Sequence, residues 1–135
     1  MTVSEKQTRL IEDFALIEDR HERLAAVVAH ARRRPHITAD EKTDAHRVHG
    51  CISSVWLLGA QSDGRLHLRY DAESPLVKGL VGLLVELYDH APPAEVLATE
   101  PELLSALGLL QDLTPTRQNG LAAVRARIKS LAATI

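Results

Sequence analysis

Val55-Trp56-Leu57-Leu58-Gly59-Ala60-Gln61-Ser62-Asp63-Gly64-Arg65-Leu66-His67-Leu68-Arg69-Tyr70 is the stretch that decides how this chain folds. Val55, Trp56, Leu57 and Leu58 are a run of strand-forming residues. Residues 61–64 read as a turn ending in Asp63-Gly64. From Arg65 the pattern alternates strictly, with Leu66, Leu68 and Tyr70 set against Arg65, His67 and Arg69. Successive side chains of a strand point to opposite faces. Two such runs across a polar turn predict an antiparallel hairpin with one apolar face and one wet face.

Helical patterns lie on both sides of the hairpin. Upstream, Ser4 with Gln7 reads as a capping box, followed by Leu10, Ile11, Phe14 and Ile17 at helical spacing. Asp19 with Glu22 reads as a second box, and Leu24, Val27, Val28 and Ala31 form one stripe. The chain thus opens with two helices, or with one broken near Asp19. Arg32, Arg33 and Arg34 precede Pro35 and read as a solvated helix end, where cations suit the helix dipole. Residues 35–45 are polar and aperiodic, a connecting loop.

Downstream, Ser74-Pro75 predicts an N-cap with proline at the first helical position. Leu76, Val77, Leu80, Leu83, Leu84 and Leu87 give that helix a broad apolar face, so it is expected to be central. Thr99 with Glu102 is expected to cap a short helix ending at Gly108. Thr114-Pro115 starts a last helix in which Leu121, Val124, Ile128 and Leu131 alternate with Arg125, Arg127 and Lys129. Helices, a small antiparallel sheet and more helices make an α+β fold.

The 135 residues suffice for one hydrophobic core, so a single domain over 1–135 is expected. A formal net charge of -2 provides no basic field for nucleic acid, and 3% aromatic residues provide no stacking platform. Residues 1–14 carry Glu5, Lys6, Arg9, Glu12 and Asp13 rather than the apolar core of a signal peptide. The apolar segment 76–87 contains Lys78 and Glu86 and is too short to span a bilayer. The expectation is a cytoplasmic protein with neither nucleic-acid nor membrane partners.

The chain has one cysteine, Cys51, so no intramolecular disulfide can form. A lone thiol is either inert packing or chemistry. Gly50 lets the chain turn where loop meets strand. A strand regular from Cys51 onward would place Cys51, Ser53, Val55 and Leu57 on the core face and shelter the thiol. His46, Arg47 and His49 are near in sequence. Structural zinc generally takes four ligands with two or more cysteines, so His46, His49 and Cys51 are a weak metal pattern. His67 and His90 read as scattered residues with solvated or packing roles. Ser53 and Ser54 lack a nucleophile elbow.

The run Arg47-Val48-His49-Gly50-Cys51-Ile52-Ser53-Ser54-Val55-Trp56-Leu57 resembles the signature of the SufE family, Val-x-Gly-Cys-x-Ser-x-Val-Trp. Val77-Lys78-Gly79-Leu80, after Asp71, resembles the family's segment following the sheet. Leu113-Thr114-Pro115-Thr116-Arg117-Gln118-Asn119-Gly120-Leu121 resembles its Leu-Thr-Pro-Ser-Arg-x-x-Gly-Leu segment. Three motifs in order cover nearly the whole chain. Ile52 departs from the glutamine common after the family's cysteine.

The resemblance implies a small curved antiparallel sheet covered by helices, shared with IscU-type iron–sulfur scaffolds. It implies that Cys51 accepts a persulfide from a pyridoxal-phosphate-dependent cysteine desulfurase of the SufS or CsdA kind. The carrier would stimulate that enzyme and deliver sulfur to an iron–sulfur scaffold complex, with no cofactor of its own. Gly50, Ser53, Asp71, Arg117 and His49 would support Cys51, Asp71 by bracing a loop and Arg117 by attracting an anionic sulfur or by making a salt bridge. Loop 48–52 would move to expose the thiol, with Gly50 as hinge. Two alternatives are an iron–sulfur scaffold of the same fold, and a peroxidase or hydrolase with Cys51 as nucleophile and His46 or His49 as base.

Overall fold

The hairpin is present, and its turn is tighter than the composition implies. In the computed structural model, which describes residues 1–33, 37–51, 53–111 and 113–134, strand β1 is Val55–Ser62 and β2 is Arg65–Ala72. Only Asp63 and Gly64 form the turn, with φ of 55° and 72°. Two consecutive positive φ values are the signature of the hairpin turn whose twist matches the strands. Ser62 faces Arg65 and Val55 faces Ala72, so Val55, Leu57, Leu66, Leu68 and Tyr70 share the buried face. The expectations placed on Arg34, Pro35 and Ile52 fall outside the described residues.

Both edges of this sheet are covered. Val48 N–H donates to Val55 O and Leu57 N–H to His46 O, each at 2.8 Å. On the other side Leu66 N–H donates to Ala91 O at 2.8 Å and His90 N–H to Leu66 O at 2.7 Å. Short flanking segments thus satisfy edge groups that would otherwise invite another strand.

The chain opens with two separate helices, α1 Val3–Ala15 and α2 Arg20–Ala31. Asp19 caps α2 through His21 N–H at 2.7 Å and Glu22 N–H at 3.2 Å. The cap of α1 differs from expectation: it is Thr2 with Glu5, not Ser4 with Gln7. Gln7 is buried instead. Its side-chain oxygen accepts from Glu102 N–H at 2.6 Å and Leu103 N–H at 3.2 Å, and its nitrogen donates to Glu100 O at 3.2 Å. A distant glutamine therefore takes the capping role that the sequence assigned to Thr99.

Helix α3, Pro75–Tyr88, starts at Ser74 as expected and is the central element. Helix α4, Pro93–Ala98, was not expected: it is short and has no side-chain cap. Thr99 ends it rather than starting the next, and α5 spans only Leu103–Ala106. Helix α6, Pro115–Ala133, is capped by Thr114 and packs back across α3, α4 and β1. Among the described residues, no helix is long and apolar enough to cross a membrane.

Arg125 overturns the expected polar face of α6. It is only 8% exposed. Its Nη2 donates to Val96 O at 2.8 Å and Thr99 O at 3.0 Å, while its guanidinium lies 4.4 Å from the Tyr88 ring centre. The side chain ties α6 to the end of α4 by satisfying the Val96 carbonyl and by sharing the Thr99 carbonyl with Tyr88 Oη, which donates to it at 2.7 Å. Arg125→Ala is expected to cost about 2 kcal/mol in urea unfolding, because it strands the buried Val96 carbonyl and removes one of the two bonds at Thr99 O. Arg127→Ala, on a half-buried side chain that reaches Ala45 O, is expected to cost less than about 1 kcal/mol. Equal losses would show that the Arg125 bonds do not stabilise this junction.

Candidate functional site

Cys51 follows His49 and Gly50 in a loop that the Val48–Val55 backbone bond closes at its base. The strand begins at Val55, so its register does not extend back to Cys51 as expected. Gly50 is the reason. Its φ of 103° reverses the chain, a conformation that L side chains rarely adopt. A Cβ at this position would also stand 3.1 Å from Ala123 Cβ on α6. Gly50 thus combines a left-handed backbone with a close approach to the helix, and the thiol is carried against α6 rather than onto the sheet.

The thiol is half-buried, and its Sγ donates to Gly120 O at 3.3 Å. A Cβ on Gly120 would lie 3.2 Å from that sulfur, so the bare backbone of α6 makes room for it. Around the thiol opens a cleft of about 310 Å³. Val77, Leu80 and Val81 of α3 and Leu121 and Val124 of α6 form its apolar wall. Ser53, Thr114, Thr116 and Arg117 give it polar groups. Arg117 and Gly120, three apart on a helix, share a face. Among the described residues no ion pair engages the exposed Arg117 guanidinium, so the salt-bridge expectation for it finds no partner.

Burial pushes the Cys51 thiol pKa up, and the positive charge of Arg47 only partly opposes this. Donating its proton to a carbonyl also favours the neutral form. The resting cysteine is therefore a weak nucleophile, since the thiolate is the reactive species.

The other expected residues divide. Ser53 and Arg117 line the cleft with Cys51, whereas Asp71 and His49 do not. Asp71 faces Trp56 across the strands and pairs with Lys42 at 2.7 Å and Lys78 at 3.1 Å. Burial alone would raise its pKa, but Lys42, Lys78 and the Ala72 N–H together hold it at about 2. It braces the 42–46 loop and the start of α3. His49 is exposed, and His46 Nδ1 donates to Glu41 O at 2.8 Å. The histidines near Cys51 in sequence do not converge on it as a base or as metal ligands. His67 and His90, expected to be scattered, stand ring to ring at 4.6 Å. Gly120 belongs to the 113–121 motif, and the signal for its role beside Cys51 is a glycine inside a helix, three residues beyond Arg117.

Residues 8–132 match the SufE family profile, described as an Fe-S metabolism associated domain. An uncharacterized SufE-like protein of Rhizobium etli is 29% identical over 126 residues, covering 90% of this chain and 85% of that protein. A second, from Synechocystis, is 29% identical over 119 residues, covering 88% and 75%. A chloroplastic quinolinate synthase of Oryza sativa is 35% identical over 102 residues, which is 75% of this chain but 14% of that protein. The solution structure of a hypothetical protein from Thermus thermophilus superposes with a TM-score of 0.78 at 24% identity, over 96% of this chain and 94% of that one, and shares the fold. The chain belongs to the SufE family, and its domain is associated with iron–sulfur metabolism.

Every residue of the cleft falls within the matched span. Gly120→Ala is expected to push the sulfur outward, because the new methyl would crowd Sγ while the loop, not the helix, can give. Alkylation of Cys51 should accelerate several-fold, with stability held or raised by up to about 1 kcal/mol from the better helix former. Unchanged alkylation kinetics would mean that Gly120 does not set the position of the thiol.

Proposed function

We propose that this SufE-family protein is a sulfur carrier whose Cys51 accepts a persulfide from a pyridoxal-phosphate-dependent cysteine desulfurase. It stimulates that enzyme by removing its sulfur, and it delivers the sulfur to an iron–sulfur assembly complex in the cytoplasm. The whole chain acts as one unit in this role. The observation that carries the reading is the lone cysteine of the family motif, held on a clipped loop at a glycine turn beside a cleft that Arg117 lines.

The chemistry needs one thiol. The Cys51 thiolate attacks the outer sulfur of the donor's persulfide; a new S–S bond forms on Cys51 as the donor's S–S bond breaks. The donor cysteine leaves as thiolate and takes up the proton that Cys51 gives up. No net oxidation occurs, as in thiol–disulfide exchange. The product is an anionic persulfide, and the reading that Arg117 attracts it is supported by the guanidinium lining the same cleft as Cys51.

The resting thiol is neutral and half-covered, so transfer requires an exposed state of the loop. The partner must bind that state better than the sheltered one, since a ligand shifts an equilibrium only by its differential affinity. Val48 is buried and bonded to Val55, so the moving segment starts at His49, with Gly50 as hinge. The thiol-enzyme alternative is less well supported, because His46 is engaged by the Glu41 carbonyl and His49 lies outside the cleft. The scaffold alternative has one cysteine where a cluster needs several ligands.

Incubation with a cysteine desulfurase and cysteine, followed by intact mass measurement, is expected to show gains of about 32 Da per sulfur on Cys51. Cys51→Ser should gain none while remaining folded; equal labelling of both proteins would overturn the carrier reading. Arg117→Ala is expected to slow the gain several-fold while changing stability by less than about 0.5 kcal/mol. Unchanged transfer with a lowered Tm would instead make Arg117 structural.

A further inference from the structure

Away from the cysteine cleft, the outer edge of β2 gathers a second set of chemistry-bearing side chains. His67, Asp89 and His90 each present a ligand atom, and the three atoms lie within 4.8 Å of one another. We propose that these residues bind a first-row divalent cation of the zinc class.

Two imidazoles and one carboxylate suit borderline ions such as Zn²⁺ and Co²⁺ better than Mg²⁺ or Ca²⁺, which favour all-oxygen shells. The separation of Asp89 Oδ2 and His90 Nε2 is 3.4 Å. Zinc–ligand distances of about 2.0–2.1 Å in tetrahedral geometry place neighbouring ligand atoms about 3.3–3.4 Å apart. That edge is therefore already set, and a small rotation of His67 closes the third position. Water would complete the shell.

The supporting bonds match what ligated side chains require. Metal-bound histidine commonly donates its other ring N–H to a carbonyl, which fixes the tautomer. His67 Nε2 lies 3.3 Å from Ser62 O, so donation there leaves Nδ1 with a lone pair. Asp89 Oδ1 accepts Leu68 N–H at 2.8 Å, which orients the carboxylate. His90 holds a φ of 64°, rare for a residue with a Cβ, and its N–H is tied to Leu66 O at 2.7 Å. A strained backbone that aims a ring at a carboxylate is the kind of local cost that functional positions carry. Two cations are close by: Lys6 Nζ donates to Asp89 O at 3.2 Å and Arg65 Nη1 to His90 O at 2.9 Å. They moderate the affinity without occupying the imidazoles.

The site shares no residue with the cysteine cleft, so the test uses the full chain carrying Cys51→Ser, which removes the thiol as a competing ligand. Zn²⁺ is titrated against a chromophoric chelator, and Co²⁺ binding is followed by its visible absorption. One equivalent should bind, with Co²⁺ giving the intense bands of a four-coordinate site. His67→Ala should weaken Zn²⁺ binding by more than about tenfold. His90→Gly removes a ligand and at the same time relieves the left-handed backbone. Its metal-free Tm should therefore be equal or higher while its affinity falls by the same factor. Absence of stoichiometric binding to the parent, or His67→Ala and His90→Gly proteins that bind as tightly as it does, would overturn the proposal.

Discussion

The burial of α3 is the constraint on which the rest of the molecule depends. Every residue from Gly79 to Val85 is buried, as are Leu87 and Tyr88. A helix apolar around most of its circumference needs cover on several sides. The inner face of the hairpin supplies one side, α2 another, and α1 and α6 touch it as well. The same helix gives the cysteine cleft its floor through Val77, Leu80 and Val81. Lys78, at its outer end, pairs with Asp71 and accepts at its carbonyl from Tyr70 Oη at 3.0 Å. Core, sheet and site are fastened to one element.

A sulfur carrier faces opposed demands on its thiol. Reactivity favours a thiolate in an electropositive, open place, whereas protection of a persulfide favours burial. In the resting arrangement burial wins, since the Cys51 pKa is raised in spite of Arg47. The loop around it is short and clipped at Val48 and Val55, so emergence need not disturb the sheet. In the proposed transfer the apolar wall would shelter the neutral thiol, and Arg117, which lines the same cleft, would attract the anionic sulfur.

Three arginines of α6 have three unlike fates. Arg117 is exposed at the cleft and unpaired among the described residues, Arg125 is buried against Tyr88 and two carbonyls, and Arg127 reaches Ala45 O at 2.9 Å. Residues of one type on one helix thus divide into a group available to a ligand, an internal strut and a surface tie. What separates them is which carbonyls lie within reach, and for Arg125 this depends on how α4 ends beside α6.

The sequence by itself determined the hairpin, a helical opening segment with a break near Asp19, the central helix and the starts of α3 and α6. These rest on local physics: strand alternation, helical periodicity and caps within three residues of their targets. The place of Arg117 in the first turn after Thr114 was legible for the same reason, whereas the Cys51 motif was legible through its resemblance to the family signature. Only the tertiary structure decided what depends on partners remote in the chain. Gln7 caps α5 across 95 positions of sequence at Glu102. Arg125 turns inward because the Val96 and Thr99 carbonyls at the end of α4 lie within its reach. Cys51 leaves the strand register because Gly50 reverses and meets Ala123. His67 reaches His90 because the 90–91 segment pairs with the edge of β2. A one-dimensional pattern encodes what each residue prefers; which unsatisfied group lies within reach of it is set by packing.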